Sequence, residues 1–304
     1  MKQVQIGKND ANQRLDKFLI KLLTATGQGT VYKALRKKRV KVNGKRVTDG
    51  SLRLSEGDLL ELYINDEFFE KEEKPALYQT LTPRLSVVYE DAHILVMDKP
   101  KGMLSQSEDE ESLEAHMRAY LLQKGEFSPE DAHTFLPSLC HRIDRNTDGL
   151  VLGAKDAESL RILNQKIRDR EIKKFYLCET EGVPQPKEGE IIGWLSKDEK
   201  QKKMVMTQTE TPDGVYCHTR YRVLKSGENA TVEAELLTGR THQIRAGFAH
   251  LGHPLLGDVK YGAKKRAGEF QHLTSYRLKF VFTTDGGVLD YLNGKEIKRG
   301  KRDA

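Results

Sequence analysis

An α+β fold is what this chain of 304 residues predicts: a mixed, largely antiparallel sheet domain preceded by a small α/β domain. Three observations carry the prediction. Segments with strand character outnumber those with helical spacing, and several of the strands look antiparallel. Basic charge gathers at the N-terminal end. A polar, aperiodic stretch then separates that end from the rest. At this length the chain can bury a sizeable core and hold more than one domain.

The net charge is +6. Residues 1–64 carry fourteen Lys/Arg against six Asp/Glu, a net +8, so the remaining residues sum to −2. The basic character thus belongs to the N-terminal portion and suits a polyanionic partner. Within it, Leu15, Phe18, Leu19 and Leu22 share one face of a helix over 13–24. Gly27 and Gly29 break the pattern. A second short helix over 30–38 sets Val31, Ala34 and Leu35 against Lys33, Arg36 and Lys37. Val40 to Val47 reads as two strands joined by Asn43-Gly44, a hairpin turn that needs positive φ at both positions. Leu52, Leu54, Leu59, Leu62 and Ile64 continue as small strands. Residues 65–84 are polar, mixed in charge and without period, as in a linker.

From residue 85 to 304 one larger domain is expected. Strands are predicted at Val87-Val88-Tyr89, Ile94 to Met97, 173–181, 216–225, 230–238 and 276–283. Helical spacing covers 110–123, opened by Ser112, and 157–170, where Asp156 is placed to cap. Cys140, Cys178 and Cys217 are odd in number and scattered, which suggests neither a disulfide framework nor a zinc site. His242, His250 and His253 lack a carboxylate or cysteine to complete a metal pattern. The N-terminus has no apolar signal core, and no run reaches membrane-spanning length, so a cytoplasmic, monomeric protein is expected.

The densest chemistry lies in Leu139-Cys140-His141-Arg142-Ile143-Asp144-Arg145-Asn146-Thr147-Asp148-Gly149-Leu150. One carboxylate, Asp144, stands between two arginines, just before an apolar run that reads as a buried strand. A polar loop fixed to a rigid element is where catalytic groups tend to sit. The alternative reading is an arginine–aspartate loop that merely caps the strand. Two further segments stand out. In Lys173-Lys174-Phe175-Tyr176-Leu177, alternation puts Lys174 and Tyr176 on one strand face. In Leu237-Thr238-Gly239-Arg240-Thr241-His242-Gln243-Ile244-Arg245, Gly239 breaks a strand and Thr241 is placed to cap the helix that follows.

These three segments resemble the motifs H-R-L-D-R-x-T-S-G-L, K-x-Y-x-A and T-G-R-T-H-Q-I-R of the RluA family of RNA pseudouridine synthases. The resemblance covers roughly 85–283. It implies that Asp144 is the catalytic aspartate and that Tyr176 lies against the target base. It further implies that Arg245 pairs with Asp144, that Arg142 occupies the space of a flipped nucleotide, and that Ile244 lies against substrate. Leu251 to Gly262 resembles a shared structural loop to which no chemistry is assigned. Residues 12–64 resemble the S-four, or αL, RNA-binding module through Arg14 to Leu19, Lys33 to Arg39, Val40 to Gly44 and Glu56 to Asp58. By that resemblance Lys33, Arg36, Lys37, Lys41 and Lys45 contact RNA. The chain departs from the family at Ile143, at Asp148 in place of serine, and at Ser105-Gln106-Ser107 in place of a histidine-proline pair. Asp148 would raise the proton affinity of Asp144 if it points inward.

The implied reaction breaks a C–N glycosidic bond and makes a C–C bond to the same sugar, so no cofactor or metal is expected. Asp144 would act as nucleophile or as base, with Arg245 setting an opposite charge beside it. Tyr176 offers a stacking face and a hydroxyl. The target base must be extruded, and the Arg142 guanidinium would fill the gap. Ribosomal RNA, notably of the large subunit, is the expected substrate because the appended module is common among relatives acting there; transfer RNA stays open. Two other readings are a ribosome-assembly factor on the same fold without chemistry, and a hydrolase using Asp144 and Asp148 as a carboxylate pair.

Overall fold

A computed structural model describes residues 1–69, 76–129, 133–264 and 270–300. The chain gathers into two compact units. One comprises Met1–Pro83, Ala115–Ser138 and Lys155–Glu158; the other comprises Arg84–Glu114, Leu139–Ala154 and Ser159–Ala304.

The first unit opens with β1 (Lys2–Gln5), α1 (Leu15–Leu22) and α2 (Gln28–Arg36). It continues through β2 (Val40–Val42), β3 (Lys45–Arg46), β4 (Leu59–Leu62) and a one-turn helix α3 (Leu77–Thr80). The strands form an antiparallel sheet in the order β1-β4-β2-β3. Leu15, Phe18 and Leu19 of α1 and Val31 and Leu35 of α2 pack with Val40, Leu60 and Leu62 into one core. The R-L-D triplet is structural here. Arg14 grips the buried Asp16 through two bonds of 3.1 and 2.7 Å, while Leu15 between them enters the core. Asn43 (φ 49°) and Gly44 (φ 75°) make the turn the sequence predicts. The Asn43 side chain also reaches Asp58 and the Leu59 amide, tying the hairpin to β4.

Segments far along the sequence belong to this unit as well. The carboxylate of Asp10, fully buried, accepts the amides of His133 and Thr134 and the Thr134 hydroxyl. The stretch read as an aperiodic linker is partly ordered. Residues 66–68 form a single 3-10 turn, Phe68 and Phe69 pack on the core, and Tyr78 is buried. Apolar side chains thus override its charged composition; residues 70–75 of that stretch lie outside the described residues.

The remaining elements are β5 (Val87–Glu90), β6 (Ile94–Lys99), α4 (Leu113–Gln123), β7 (Ser138–Leu139), β8 (Asp148–Ala154), α5 (Ala157–Arg168), β9 (Ile172–Glu181), β10 (Glu188–Asp198), β11 (Lys203–Thr207), β12 (Val215–Ser226), β13 (Asn229–Leu236), α6 (Gln243–His250), β14 (Leu273–Phe280) and β15 (Glu296–Lys298). An eleven-stranded sheet runs β11-β10-β12-β13-β9-β14-β8-β6-β5, with β15 on β14 and β7 on β8. Between strands of the main path every described pairing is antiparallel except β14 with β8. The mixed, largely antiparallel sheet expected from the sequence is therefore present. β6 and β8 are buried along their whole length, as their continuous apolar runs require.

The parallel junction needs a glycine. Gly149 sits opposite Ser275 with φ 109°, and a Cβ there would collide with the Ser275 backbone. β10 and β11 escaped prediction. The exposed residues of β10 are Glu188, Glu190, Ile192 and Lys197, mostly charged, so its composition reads as loop. Glu190 gains its partners only in the sheet, where it meets Arg220 and His218. Thr241 does not cap α6; that position falls to His242, held at φ 54°. The Gln243 side chain instead braces the turn, accepting from the Arg240 amide at 3.0 Å and the Thr238 hydroxyl at 2.7 Å.

Candidate active site

The loop between β7 and β8 carries Asp144 and is fixed from behind by one lysine. Lys99 ends the buried strand β6 and is itself 0 % exposed. Its ammonium donates to the carbonyls of Pro100, Met103 and Arg145 at 3.0, 2.7 and 2.9 Å. Three carbonyls satisfy its three protons. Burial pulls the ammonium down to about 8, while the Asp148 and Asp144 charges push the other way. Arg145 and Gly102 exchange two further bonds of 2.9 Å. On the other side of Asp144, the buried Ser105 hydroxyl donates to the Ile143 carbonyl at 2.7 Å and accepts the Ile143 amide at 3.1 Å. The departure at Ser105 thus bonds directly to the residue preceding the aspartate.

Arg245 reaches the loop from the first turn of α6. Its Nη1 donates to Asp144 Oδ2 at 3.0 Å. Its bidentate partner is another residue, Asp258, through Nε at 2.7 Å and Nη2 at 2.9 Å. Burial works against the Arg245 charge, but Asp258 and Asp144 more than offset it and hold the guanidinium protonated. Tyr261 lies under the same guanidinium, 5.0 Å from its ring centre. Asp258 belongs to the loop to which no chemistry is assigned from sequence. Its signal, a lone acid after Gly257, is legible only once the fold brings it to Arg245.

Tyr176 on β9 is buried, and it lines the same cavity as Asp144 and Lys174. Burial pushes its phenol well above the ordinary value, with Ser275 pulling the other way and the Asp144 charge adding to it. It therefore stands as a neutral phenol, a donor rather than a base. Lys174 is pulled down by burial. His141, whose Nε2 accepts the Leu152 amide, is pulled down to about 3 by burial and by Lys174, so it is neutral. The cavity encloses about 910 Å3, and exposed Arg142 stands on its wall. Ile244 is buried and lines an adjoining recess together with Asp144 and Tyr176.

Asp148 does not join Asp144 as a free carboxylate. It accepts from the Thr274 hydroxyl at 2.8 Å and pairs with Arg299 at 2.8 Å. Burial works to raise it, and these two partners bring it below the ordinary carboxylate range. In the basic module Lys33, Arg36, Lys37 and Lys45 are exposed, with no side-chain partner among the described residues. Lys41 differs: it pairs with Glu61 at 3.2 Å and lies over the Tyr63 ring.

A carboxylate held by an arginine at a large polar cavity, on a chain that also carries a basic α/β module, fits an enzyme that works on a nucleic acid. The family profile described as RNA pseudouridylate synthase matches residues 93–250, and that of the S4 domain matches 13–60. A ribosomal large subunit pseudouridine synthase C of Rickettsia typhi is 31% identical over 300 residues, covering 94% of this chain and 92% of its own. The protein of that name from Vibrio parahaemolyticus is 32% identical over 271 residues, covering 86% and 80%. Among solved structures, the human RNA pseudouridylate synthase domain containing 4 protein superposes with a TM-score of 0.57 at 22% identity, covering 72% of this chain and 89% of its own. The chain belongs to the RNA pseudouridylate synthase family, RluA type, and is an RNA pseudouridine synthase.

Proposed function

We propose that this synthase isomerises uridines of large-subunit ribosomal RNA and that Asp144 is the group that reacts. Residues 85–304 would form the catalytic domain, and 1–64, joined through 65–84, the RNA-binding module. Support for the substrate comes from the relatives named as large-subunit synthases. Support for Asp144 comes from one observation: its carboxylate, 25 % exposed, opens into the cavity while its Oδ2 is held by Arg245.

In the proposed reaction a uridine swings out of its helix and enters the cavity. Exposed Arg142 takes its place in the stack through the guanidinium plane. Tyr176 stacks against the uracil and, being neutral, offers its proton. Asp144 acts at the sugar as nucleophile or as base while the C–N bond breaks, the uracil turns, and carbon 5 bonds to the sugar. Carbon 5 then gives up its hydrogen as a proton and N1, freed of the sugar, ends with one, so there is no net change beyond isomerisation. Ile244 closes the apolar side. A hydrolase built on Asp144 and Asp148 is not favoured, because Asp148 is taken up by Thr274 and Arg299.

The test is Asp144→Asn. Tritium release from RNA labelled at carbon 5 of uracil is expected to fall by several orders of magnitude, with RNA affinity nearly unchanged. Activity within about tenfold of wild type would remove Asp144 from the mechanism. Mapping pseudouridines in total RNA of cells with and without the protein decides the substrate; loss confined to transfer RNA would overturn the ribosomal assignment.

A further inference from the structure

The pocket holds a histidine that the reaction as drawn does not use. His242 stands at the entry to α6, three residues before Arg245. Its Nε2 lies 3.8 Å from Asp144 Oδ2, the same oxygen that takes the Arg245 bond. Asp144 Oδ1 makes no hydrogen bond to the described residues. Behind the imidazole is Tyr261, whose hydroxyl lies 2.8 Å from His242 Nδ1. That hydroxyl also accepts the Met204 amide proton at 3.0 Å.

These contacts fix where the protons lie. The Tyr261 oxygen receives one proton from Met204 and has one of its own to give, and Nδ1 of His242 is the acceptor within reach. A neutral His242 then carries its proton on Nε2, the nitrogen that faces Asp144. The opposite tautomer would turn a nitrogen lone pair toward the carboxylate and leave the Tyr261 proton without an acceptor. The charged and titratable groups around the ring are Asp144 and Asp258, Arg245 and Lys260, and Tyr261. Burial holds the imidazole below its ordinary value, Asp144 opposes this, and Arg245 and Lys260 add to it. Burial therefore favours the neutral ring. The left-handed backbone at His242 (φ 54°), with the Ala246 amide bonded to its carbonyl at 2.8 Å, holds the ring in place.

We propose that His242 is a positioning residue for Asp144: with its tautomer set by Tyr261, it and Arg245 engage Oδ2 together and leave Oδ1 as the oxygen that reacts. The proposal rests on the reading of Asp144 as the reacting group. A carboxylate free to rotate presents either oxygen, and each turn misdirects the lone pair. Two donors on one oxygen remove that freedom. The 3.8 Å separation is long for a hydrogen bond, and it is expected to shorten when RNA fills the cavity and expels water, as apo contacts of this kind do.

The experiment has two arms. Nitrogen-15 NMR of the imidazoles in the wild-type protein, with His242 assigned by its loss in His242→Gln, reads the tautomer directly. A proton on Nε2 is expected, and Tyr261→Phe is expected to give a mixture. A proton on Nδ1 in the wild type would overturn the proposal. The second arm is the single-turnover rate with saturating enzyme on tritiated RNA. His242→Leu is expected to lose roughly 10²-fold in rate with RNA affinity unchanged. His242→Gln, which keeps an N–H near the Nε2 position, is expected to recover about tenfold of that. Tyr261→Phe keeps the ring beneath Arg245; it is expected to slow the wild type and to add nothing in the His242→Gln background. His242→Leu near the wild-type rate, or additive losses for Tyr261→Phe, would overturn the proposal while leaving the Asp144 reading intact. If Asp144→Asn kept its activity, the Asp144 reading and the kinetic half of the proposal would fall together, and the NMR arm would still decide the tautomer.

Discussion

The carboxylate of Asp258 is 2 % exposed and takes two of the three bonds that Arg245 makes to acidic side chains. Arg245 is thus anchored on one side and aimed on the other, which changes what a substitution does. A lysine at 245 keeps the charge, but an ammonium cannot hold both oxygens of Asp258 and still point at Asp144. Arg245→Lys is expected to slow single turnover by roughly 10²-fold or more. It is also expected to lower stability by about 1–3 kcal/mol, since a buried carboxylate loses a bond. Thermal melting beside the rate checks both, and a near-normal rate would show that Arg245 does not orient Asp144. Asp258→Asn should slow the reaction by about tenfold through the same loss of aim, even though Asp258 touches no reacting atom. The contrast shows what a sequence displays at this scale. Asp144, Tyr176 and Arg245 lie in dense polar segments beside strand and helix signals, so their residue types stand out. Asp258, Lys99 and Tyr261 act through partners that only the fold supplies. Lys99 in particular ends an apolar strand, where a lysine reads as a solvated end rather than a buried donor to three carbonyls.

Among the elements, the junction of β8 with β14 sets the height of the Asp144 loop. Gly149 permits two backbones to approach where any side chain would meet Ser275, and its φ of 109° disfavours other residues as well. Gly149→Ala is expected to cost at least the roughly 3 kcal/mol that ends the ordinary range for single substitutions. A melting curve within a few degrees of wild type would contradict the close approach. A second joint ties α5 to the start of β9 and the chain beyond β14. Lys166 and Glu171, both buried, pair at 2.6 Å, and Lys166 donates to the carbonyl of Thr284 at 2.6 Å. The bonds from Lys166 and Thr283 depress Glu171 from 4.5 to about 2. A depressed carboxyl stabilises the fold fully above its unfolded value, and that contribution disappears as pH falls toward about 2. Wild type is therefore expected to lose melting temperature between those two values more steeply than Glu171→Gln, which lacks the titrating group. Parallel curves would show that the pair does not feel the titration. Elements with a buried face, such as β6, β8 and β9, could be read from periodicity. β10 could not, because Glu190 on its polar face finds its partner only when Arg220 arrives from β12.

For the whole molecule, the uneven charge is the feature that composition alone made visible: residues 1–64 hold +8 on a chain whose total is +6. The fold turns part of that charge outward and consumes the rest. Arg14 is paired with Asp16 and Lys41 with Glu61, so neither is a free cation. Lys33 and Arg36 of α2, Lys37 just after it and Lys45 of the hairpin are all exposed. A deletion of 1–64 would remove this surface but also strip Asp10 from the amides of His133 and Thr134, confusing lost binding with lost folding. Replacing the four exposed cations by glutamine avoids that, because none has a side-chain partner among the described residues. If each meets a phosphate, each released counterion contributes about 0.7–0.9 to the slope of log affinity against log salt. The fourfold variant is therefore expected to bind RNA with a slope shallower by about 3, to melt as the wild type does, and to keep its single-turnover rate once saturated. The measurement is a binding titration across a range of salt. An unchanged slope would mean that the phosphates are met elsewhere on the chain. A reduced rate at saturation would mean that these cations place the uridine in the cavity as well as hold the RNA.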